Sequence, residues 1–321
     1  MALIEKLKAI GDAIRAKTGG TDELTLDQMV TEIDSIEAGG GSSGDDEKMA
    51  ARIIEGAPVV LTNSLARSVK NNIFYDVDSL VEVDLPNATS IGNSAFSKCS
   101  NLDTVNLPST ENVDIYAFAN CIALTSIFLP KATTIGNNAF SSCYNLTRID
   151  LPMATSIGGD AICDCVSLEN INLPMAETIE YGAFAGCSKL VSAVLPKATT
   201  FGDSVFSNCR SLTYLDFGSA NSIPGGLFGS GIENLATIIL RTTAQVCDFE
   251  VAIIVGTKIV SQEGVPTGEG FIYVPSTLFE DYVANFVMQI TLVFGLDEAT
   301  ATYISTAILR KIEDYPEICG S

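Results

Sequence analysis

The sequence predicts a solenoid of stacked 22-residue coils, an α/β-class fold built mainly from short parallel β-strands and turns. Three observations support this fold class. A Leu-Pro pair recurs every 22 residues over 85–196, and a Cys recurs with the same period over 99–209. An aromatic column with this period consists of Phe96, Phe118, Phe140, Phe184, Phe206 and Phe228, with Ile162 in the one remaining place. A single coil cannot bury its own apolar side chains, so such repeats fold by stacking.

Each coil is predicted to begin with a strand. Val83 and Leu85 alternate with polar residues, which is the pattern of a half-buried strand, and Pro86 ends the ladder because it has no N–H to donate. The period therefore predicts strands at 83–85, 105–107, 127–129, 149–151, 171–173 and 193–195. A second short extended piece is expected at 89–91, and Gly92 is expected to supply the backbone freedom for the following turn.

Both ends of the chain depart from the repeat, as end caps do. Val69, Phe74 and Val77 lie one period before Ile91, Phe96 and Cys99, which predicts a degenerate first coil. The segments predicted from these changes are an α-helical hairpin at 1–37, a Gly/Ser linker at 38–45, a cap at 46–79 made of a short helix at 46–55 and the degenerate coil, the repeats at 80–240 and a small α+β capping module at 241–321. The last strand of the repeats is expected at 235–240. Within the capping module, a strand is expected at 270–274, with helices at 275–287, begun by Ser276, and at 297–311.

The N-terminal hairpin is the predicted element of attachment or oligomerisation. It carries two apolar helical stripes, Leu3, Ile4, Leu7, Ile10 and Ile14, followed by Leu26, Met29, Val30, Ile33 and Ile36. A hairpin this small cannot bury a core alone, so we expect it to pair with itself or with another protein. The following GGGSSG run is a native flexible linker or an expression scar, and a flexible linker would prevent rigid docking onto the solenoid.

Composition excludes several classes of function. The chain has 321 residues and a formal net charge of −21, so nucleic acid and anionic membranes are not expected partners. His is absent, which removes the commonest general base and zinc ligand, and we expect no enzymatic activity, no cofactor and no metal. Neither membrane insertion nor Sec export is expected, because no apolar run reaches ~20 residues and the charged start of the chain differs from the apolar core of a signal peptide.

The nine cysteines could indicate disulfides or a metal site. Six of them form the repeating column, in which neighbouring Cβ atoms would lie ~4.8 Å apart, farther than the ~3.8 Å that a disulfide prefers. We therefore predict reduced thiols that pack as small apolar groups. Alternation along an extended chain would point one of Cys163 and Cys165 inward and the other outward, which disfavours a shared metal.

The exposed positions of the strands are the one feature that favours binding. Core columns repeat, whereas the columns that begin at Glu82 and Asp84 vary from coil to coil. Solenoids bind partners on their concave surfaces, and Arg and aromatic residues are typical interface anchors. The candidate binding residues on this face are Phe128, Arg148, Asn170, Asn172, Val194 and Tyr214. The alternative is an ordinary solvated sheet face.

The repeat unit L-x-x-V-x-L-P-x-A-T-x-I-G-x-x-A-F-x-x-C-x-x-L resembles the leucine-rich repeats of BspA-like bacterial surface proteins, over residues 57–240. Residues 3–29 resemble the N-terminal segment of tail and minor structural proteins of Firmicutes phages and prophages. Residues 270–282 and 310–320 resemble the C-terminal module that accompanies such repeats. These resemblances imply a leucine-rich-repeat solenoid in a non-enzymatic phage tail-associated protein located in the virion.

In this interpretation the hairpin binds other virion or tail proteins, and the repeats bind a receptor, either a host surface protein or a glycan. A trimer is the oligomer that the resemblance implies. The alternatives are a BspA-like bacterial surface adhesin and a pure structural spacer.

Overall fold

The computed structural model describes residues 59–314 except 63, 65, 219, 221, 242–246, 250–253, 255 and 262–263. Within these residues the chain forms a parallel β-solenoid, and each coil carries one longer strand and one two-residue strand. The longer strands are β1 (Val59–Thr62), β3 (Leu80–Asp84), β5 (Thr104–Asn106), β7 (Ser126–Phe128), β9 (Arg148–Asp150), β11 (Asn170–Asn172), β13 (Ser192–Val194), β15 (Tyr214–Asp216) and β17 (Thr237–Ile239). The two-residue strands are β2 (Ser68–Val69), β4 (Ser90–Ile91), β6 (Asn112–Val113), β8 (Thr134–Ile135), β10 (Ser156–Ile157), β12 (Thr178–Ile179), β14 (Thr200–Phe201), β16 (Ser222–Ile223) and β18 (Asp248–Phe249).

The core consists of columns that run from coil to coil, as predicted. The ring centroids of Phe96 and Phe118 lie 5.2 Å apart, and those of Phe118 and Phe140 lie 5.4 Å apart with nearly parallel planes. Phe74 of the degenerate first coil stacks on Phe96 at 5.4 Å, and Ile162 is fully buried in the gap of the column. The predicted burial of the Phe and Cys columns is confirmed.

The longer strands end one residue before the predicted positions. The Leu85 N–H does donate to the Asn106 oxygen of the next coil (3.0 Å). Its carbonyl, however, accepts from the Ala88 N–H (3.1 Å) and so closes a turn instead of continuing the ladder. Strand β3 therefore ends at Asp84, and the Leu-Pro pair begins the turn.

The returning half of each coil uses left-handed backbone at two positions that the sequence analysis did not identify. Ser94 and Lys98 have φ angles of 52° and 64°, and Gly182 and Gly186 occupy the same two places four coils later. Between them, the Phe96 N–H donates to the Ala117 oxygen of the next coil (2.8 Å). The turns thus form a hydrogen-bonded ladder of their own.

The expected role of Gly92 is wrong in its mechanism, because this residue does not have a positive φ. A Cβ atom at Gly92 would lie 2.7 Å from the Val69 carbonyl oxygen of the preceding coil. The position requires glycine for the close approach of two backbones, rather than for a left-handed turn.

The C-terminal module continues the sheet of longer strands. It contains β19 (Phe271–Val274), α1 (Phe279–Phe294), α2 (Glu298–Ile308) and β20 (Leu309–Lys311), and the strand order is β15-β17-β19-β20. The strand expected at 270–274 is confirmed. The helix expected at 297–311 is wrong over 309–311, because Leu309 turns to extended backbone and these three residues pair with β19.

The expected start of the preceding helix at Ser276 is also wrong. Ser276–Leu278 forms a single 3-10 turn, and α1 begins at Phe279 without a side-chain cap. The Ser276 hydroxyl donates to Glu313 Oε1 (2.9 Å), which links this turn to the 3-10 turn at Ile312–Asp314 that follows β20. Among the described residues, no helix combines the length and the apolar character needed to cross a bilayer. The predicted hairpin (1–37), the linker (38–45), the helix at 46–55 and Cys319 lie outside the described residues.

Candidate functional site

We call one surface of the solenoid the strand face. It is formed by the first and third residues of the longer strands β5, β7, β9, β11, β13, β15 and β17. In β7, Ile127 is buried, whereas Ser126 and Phe128 on either side are exposed. In β11, Asn170 and Asn172 are exposed around a buried Ile in the same way. Alternation along each short strand therefore presents two columns of side chains to solvent.

The ladder of longer strands is interrupted twice on this face. β7 and β9 pair only with each other, so they form a two-stranded sheet between β1-β3-β5 and the group that begins with β11. Within this pair the Thr147 N–H donates to the Thr125 oxygen (2.9 Å), and the Leu129 N–H donates to the Asp150 oxygen (3.0 Å). The equivalent strand pairing is missing at the β5/β7 break and at the β9/β11 break among the described strands. The two-residue strands β2–β14, in contrast, form one continuous sheet.

A groove of about 530 Å³ lies over the β5/β7 break. It is lined by Asp103, Thr104, Val105, Thr125, Ser126, Ile127, Phe128, Arg148 and Asp150. Thr125 Oγ1 donates to Asp103 Oδ1 at 3.5 Å, a side-chain hydrogen bond between the two coils at this break. The Arg148 guanidinium lies 3.3 Å from Asp150 Oδ2 and remains 76% exposed, and the Phe128 side chain is 55% exposed.

Four of the six candidate binding residues belong to this interrupted part of the face. Phe128 and Arg148 lie on β7 and β9, and Asn170 and Asn172 lie on β11, across the β9/β11 break. Val194 and Tyr214 lie farther along in the continuous part of the sheet and are half-buried. A binding role for the six residues stays a prediction, but the first four share one region of the surface.

Beyond the strand face, on β19 and β20, lie residues that the sequence analysis missed. The Arg310 guanidinium lies 4.1 Å from the ring centroid of Phe271, and the Tyr273 ring lies 6.5 Å from the same ring. Burial raises the pKa of the Tyr273 hydroxyl. The sequence analysis did not assign these residues to a surface because β19 and β20 do not follow the 22-residue period. The alternation of apolar Ile272 and Val274 with Phe271 and Tyr273 could have indicated which side of the predicted strand faces outward.

Two positions of the strand face, Asp216 and Ile239, are internal. The Asp216 side chain is 1% exposed, and both of its carboxylate oxygens accept hydrogen bonds from Arg241 Nε, at 2.9 and 2.8 Å. The Gly218 N–H also donates to this carboxylate (3.1 Å). The hydrogen bond to Asp216 raises the pKa of Arg241. The ion pair links the end of β15 to Arg241, and the Asp216 carboxylate is not available to a binding partner.

The cysteine column is buried and protonated. Each thiol donates to a carbonyl oxygen 25 residues earlier, as in Cys121 to Phe96 and Cys143 to Phe118, both with S···O distances of 3.2 Å. Burial raises the pKa of Cys143 to about 12, so this thiol is a poor nucleophile at neutral pH. All eight cysteines of the described residues are free thiols, and no group of metal-ligating side chains assembles within this part of the chain.

The fold and the strand face together define the class of protein as a leucine-rich-repeat solenoid, in which regular coils display a variable surface. The repeats match the family model of the BspA type leucine rich repeat region, in six copies, at residues 67–190 and 155–251. The match extends over more than half of the chain, and the chain belongs to this family.

Several solved structures are similar to this chain. A leucine rich repeat protein of T. pallidum is 35% identical, over 50% of this chain and 74% of that chain, with a TM-score of 0.44. A leucine rich cell surface protein from Faecalibacterium prausnitzii is 20% identical, over 69% and 73% of the two chains, with a TM-score of 0.34. A pneumococcal vaccine antigen is 19% identical, over 71% and 76%, with a TM-score of 0.32. The comparison with curated proteins gave no match.

Proposed function

We propose that this chain is a non-enzymatic interaction protein of a bacterial surface, an adhesin whose strand face binds a host protein or glycan. The observation that carries this proposal is the contrast between its repeating buried columns and its varied exposed columns. Buried residues such as Ile127 and Ile171 recur because stacking requires them. The exposed Phe128 and Arg148 are not required by the repeat, and an exposed aromatic ring beside an arginine is typical of an interface anchor.

The chemistry of the site supports binding rather than catalysis. The thiols of the cysteine column face the core, and burial holds the pKa of Cys99 and Cys209 at about 12. The exposed groups of the strand face are mainly hydroxyl, amide, carboxylate and guanidinium groups, which are suited to hydrogen bonding a partner.

A binding assay with the purified chain tests the proposal. We expect the wild-type chain to bind host cells, and the combined variant Phe128→Ala, Arg148→Ala and Tyr214→Ala to bind at least roughly tenfold more weakly. The matched control replaces Tyr144 and Tyr181, exposed aromatic residues outside the longer strands, by Ala. Equal loss in both variants, or unchanged binding in the first, would contradict a role for the strand face.

A second candidate location, the tail of a phage particle, is favoured by the resemblance of residues 3–29 described above. In that case the predicted hairpin would bind other tail proteins, and a trimer would be the expected assembly. Deleting residues 1–37 should then abolish incorporation into particles or lower the mass in solution to that of a monomer, while circular dichroism still reports a folded solenoid. Mass spectrometry of purified particles and of a washed cell-surface fraction distinguishes the two locations. A chain that is found in particles but binds no cells would be a spacer.

A further inference from the structure

We propose that the groove over the β5/β7 break binds a neutral oligosaccharide, with Phe128 as the platform for one sugar ring. The inference rests on the proposed function, because it names the class of ligand that the strand face takes. A pyranose ring has one face of C–H groups and a rim of hydroxyls. Such a ligand needs a flat apolar surface with hydrogen-bonding groups around it, and the groove provides both.

The apolar surface is the ring of Phe128. It is 55% exposed, and its direct neighbour across the β7/β9 pairing is Asp150 rather than another apolar residue. A ring left in water at this position gains free energy when it is covered, and its face accepts C–H groups because the π-system carries a partial negative charge.

The polar rim of the groove is nearly balanced in charge. Asp103 and Asp150 can accept hydrogen bonds from sugar hydroxyls, and Arg148 can donate to them. The Arg148 guanidinium lies 3.3 Å from Asp150 Oδ2, and because it is 76% exposed its remaining N–H groups are accessible to a ligand. A basic peptide would meet the guanidinium of Arg148, and an acidic ligand would meet two carboxylates on a chain with net charge −21. The charges of the rim therefore disfavour an acidic ligand, and the choice of a neutral ligand over a basic one rests on the Phe128 platform and on the backbone groups of the break.

The interrupted ladder adds backbone groups to the site. Strands β5 and β7 share no ladder pairing, and the inference assigns the backbone N–H and C=O groups along the break to the ligand. Hydroxyl groups both donate and accept, and they can satisfy both kinds of backbone group, whereas an ammonium group only donates. The break spans three residues, about 10 Å, and the groove volume of about 530 Å³ lies in the ordinary range for small-ligand sites. These dimensions suit a short oligosaccharide.

The test uses the full chain on an array that carries neutral oligosaccharides, sialylated oligosaccharides and Lys/Arg-rich peptides. We expect binding to neutral oligosaccharides. The strongest of these is then titrated by calorimetry against Phe128→Ala, which should bind at least roughly tenfold more weakly, and Phe128→Trp, which should retain binding because the platform is kept. Tyr181→Ala removes a ring of similar exposure (57%) outside the longer strands and should leave binding unchanged. Circular dichroism confirms that each variant is folded.

The outcomes separate this inference from the proposed function. If the array shows only basic peptides or only sialylated glycans, or if Phe128→Ala binds the selected oligosaccharide as well as wild type, the inference is wrong. If no array probe binds, cells treated with periodate, which oxidises vicinal diols of glycans, are compared with untreated cells. Cell binding that survives this treatment also overturns the inference, while the proposed adhesin function stands. A chain that binds neither array probes nor cells contradicts both.

Discussion

Removing one ring from the phenylalanine column should destabilise the solenoid by an amount that can be calculated from its surroundings. Phe118 is fully buried and stacks between Phe96 at 5.2 Å and Phe140 at 5.4 Å. Truncating a buried Phe to Ala costs about 3–5 kcal/mol of unfolding free energy. Of this, each of the two ring contacts accounts for ~0.5–1.5 kcal/mol. Because each coil contacts only its neighbours, the loss falls on both adjacent interfaces.

The assay is urea unfolding followed by far-ultraviolet circular dichroism, in which the midpoint and slope together give the free energy. Phe118→Ile should cost less than Phe118→Ala, because Ile162 occupies the same column and is fully buried there. The exposed-ring control, Phe128→Ala, should change the stability by no more than about 0.5 kcal/mol. If Phe118→Ala lies within this range too, or if it is no worse than Phe118→Ile, the column does not stabilise the fold as argued.

Three further predictions concern the ion pair and the thiols. Arg241→Ala leaves the Asp216 carboxylate buried without its partner and should cost about 3–5 kcal/mol in thermal unfolding, so a loss below 1 kcal/mol would contradict this reading. Stability should fall as the pH rises from about 9 to 12, because thiols ionise near 9.0 when unfolded, whereas burial raises the pKa of folded Cys143 to about 12. Each thiol contributes at most ~1.4 kcal/mol per pH unit, and Cys143→Val, which copies Val77 of the first coil, should reduce this slope. Thiol titration in denaturant without reductant should find close to nine thiols, and three or fewer would refute the reduced column.

Periodicity made the core predictable. A residue that recurs every 22 positions reaches the same place in each coil, so the burial of Phe118 and Cys121 follows from spacing alone. The same argument places Phe128 and Arg148 on a common exposed face. It does not extend to the C-terminal module, because β19 pairs with β17 at a separation of 34 residues, as between Ile238 and Ile272.

The tertiary structure alone decided which polar positions of the strand face are accessible to a binding partner. Asp216 reads as one more polar residue of the strand face, yet Arg241, 25 residues later, encloses it. The two breaks in the ladder occur between coils of equal length, so no change in spacing marks them. A repeating sequence determines which residues face the core, because that depends on position within one coil. Hydrogen bonding between particular coils depends on how each pair of neighbours packs, and this is settled only when the whole stack is assembled.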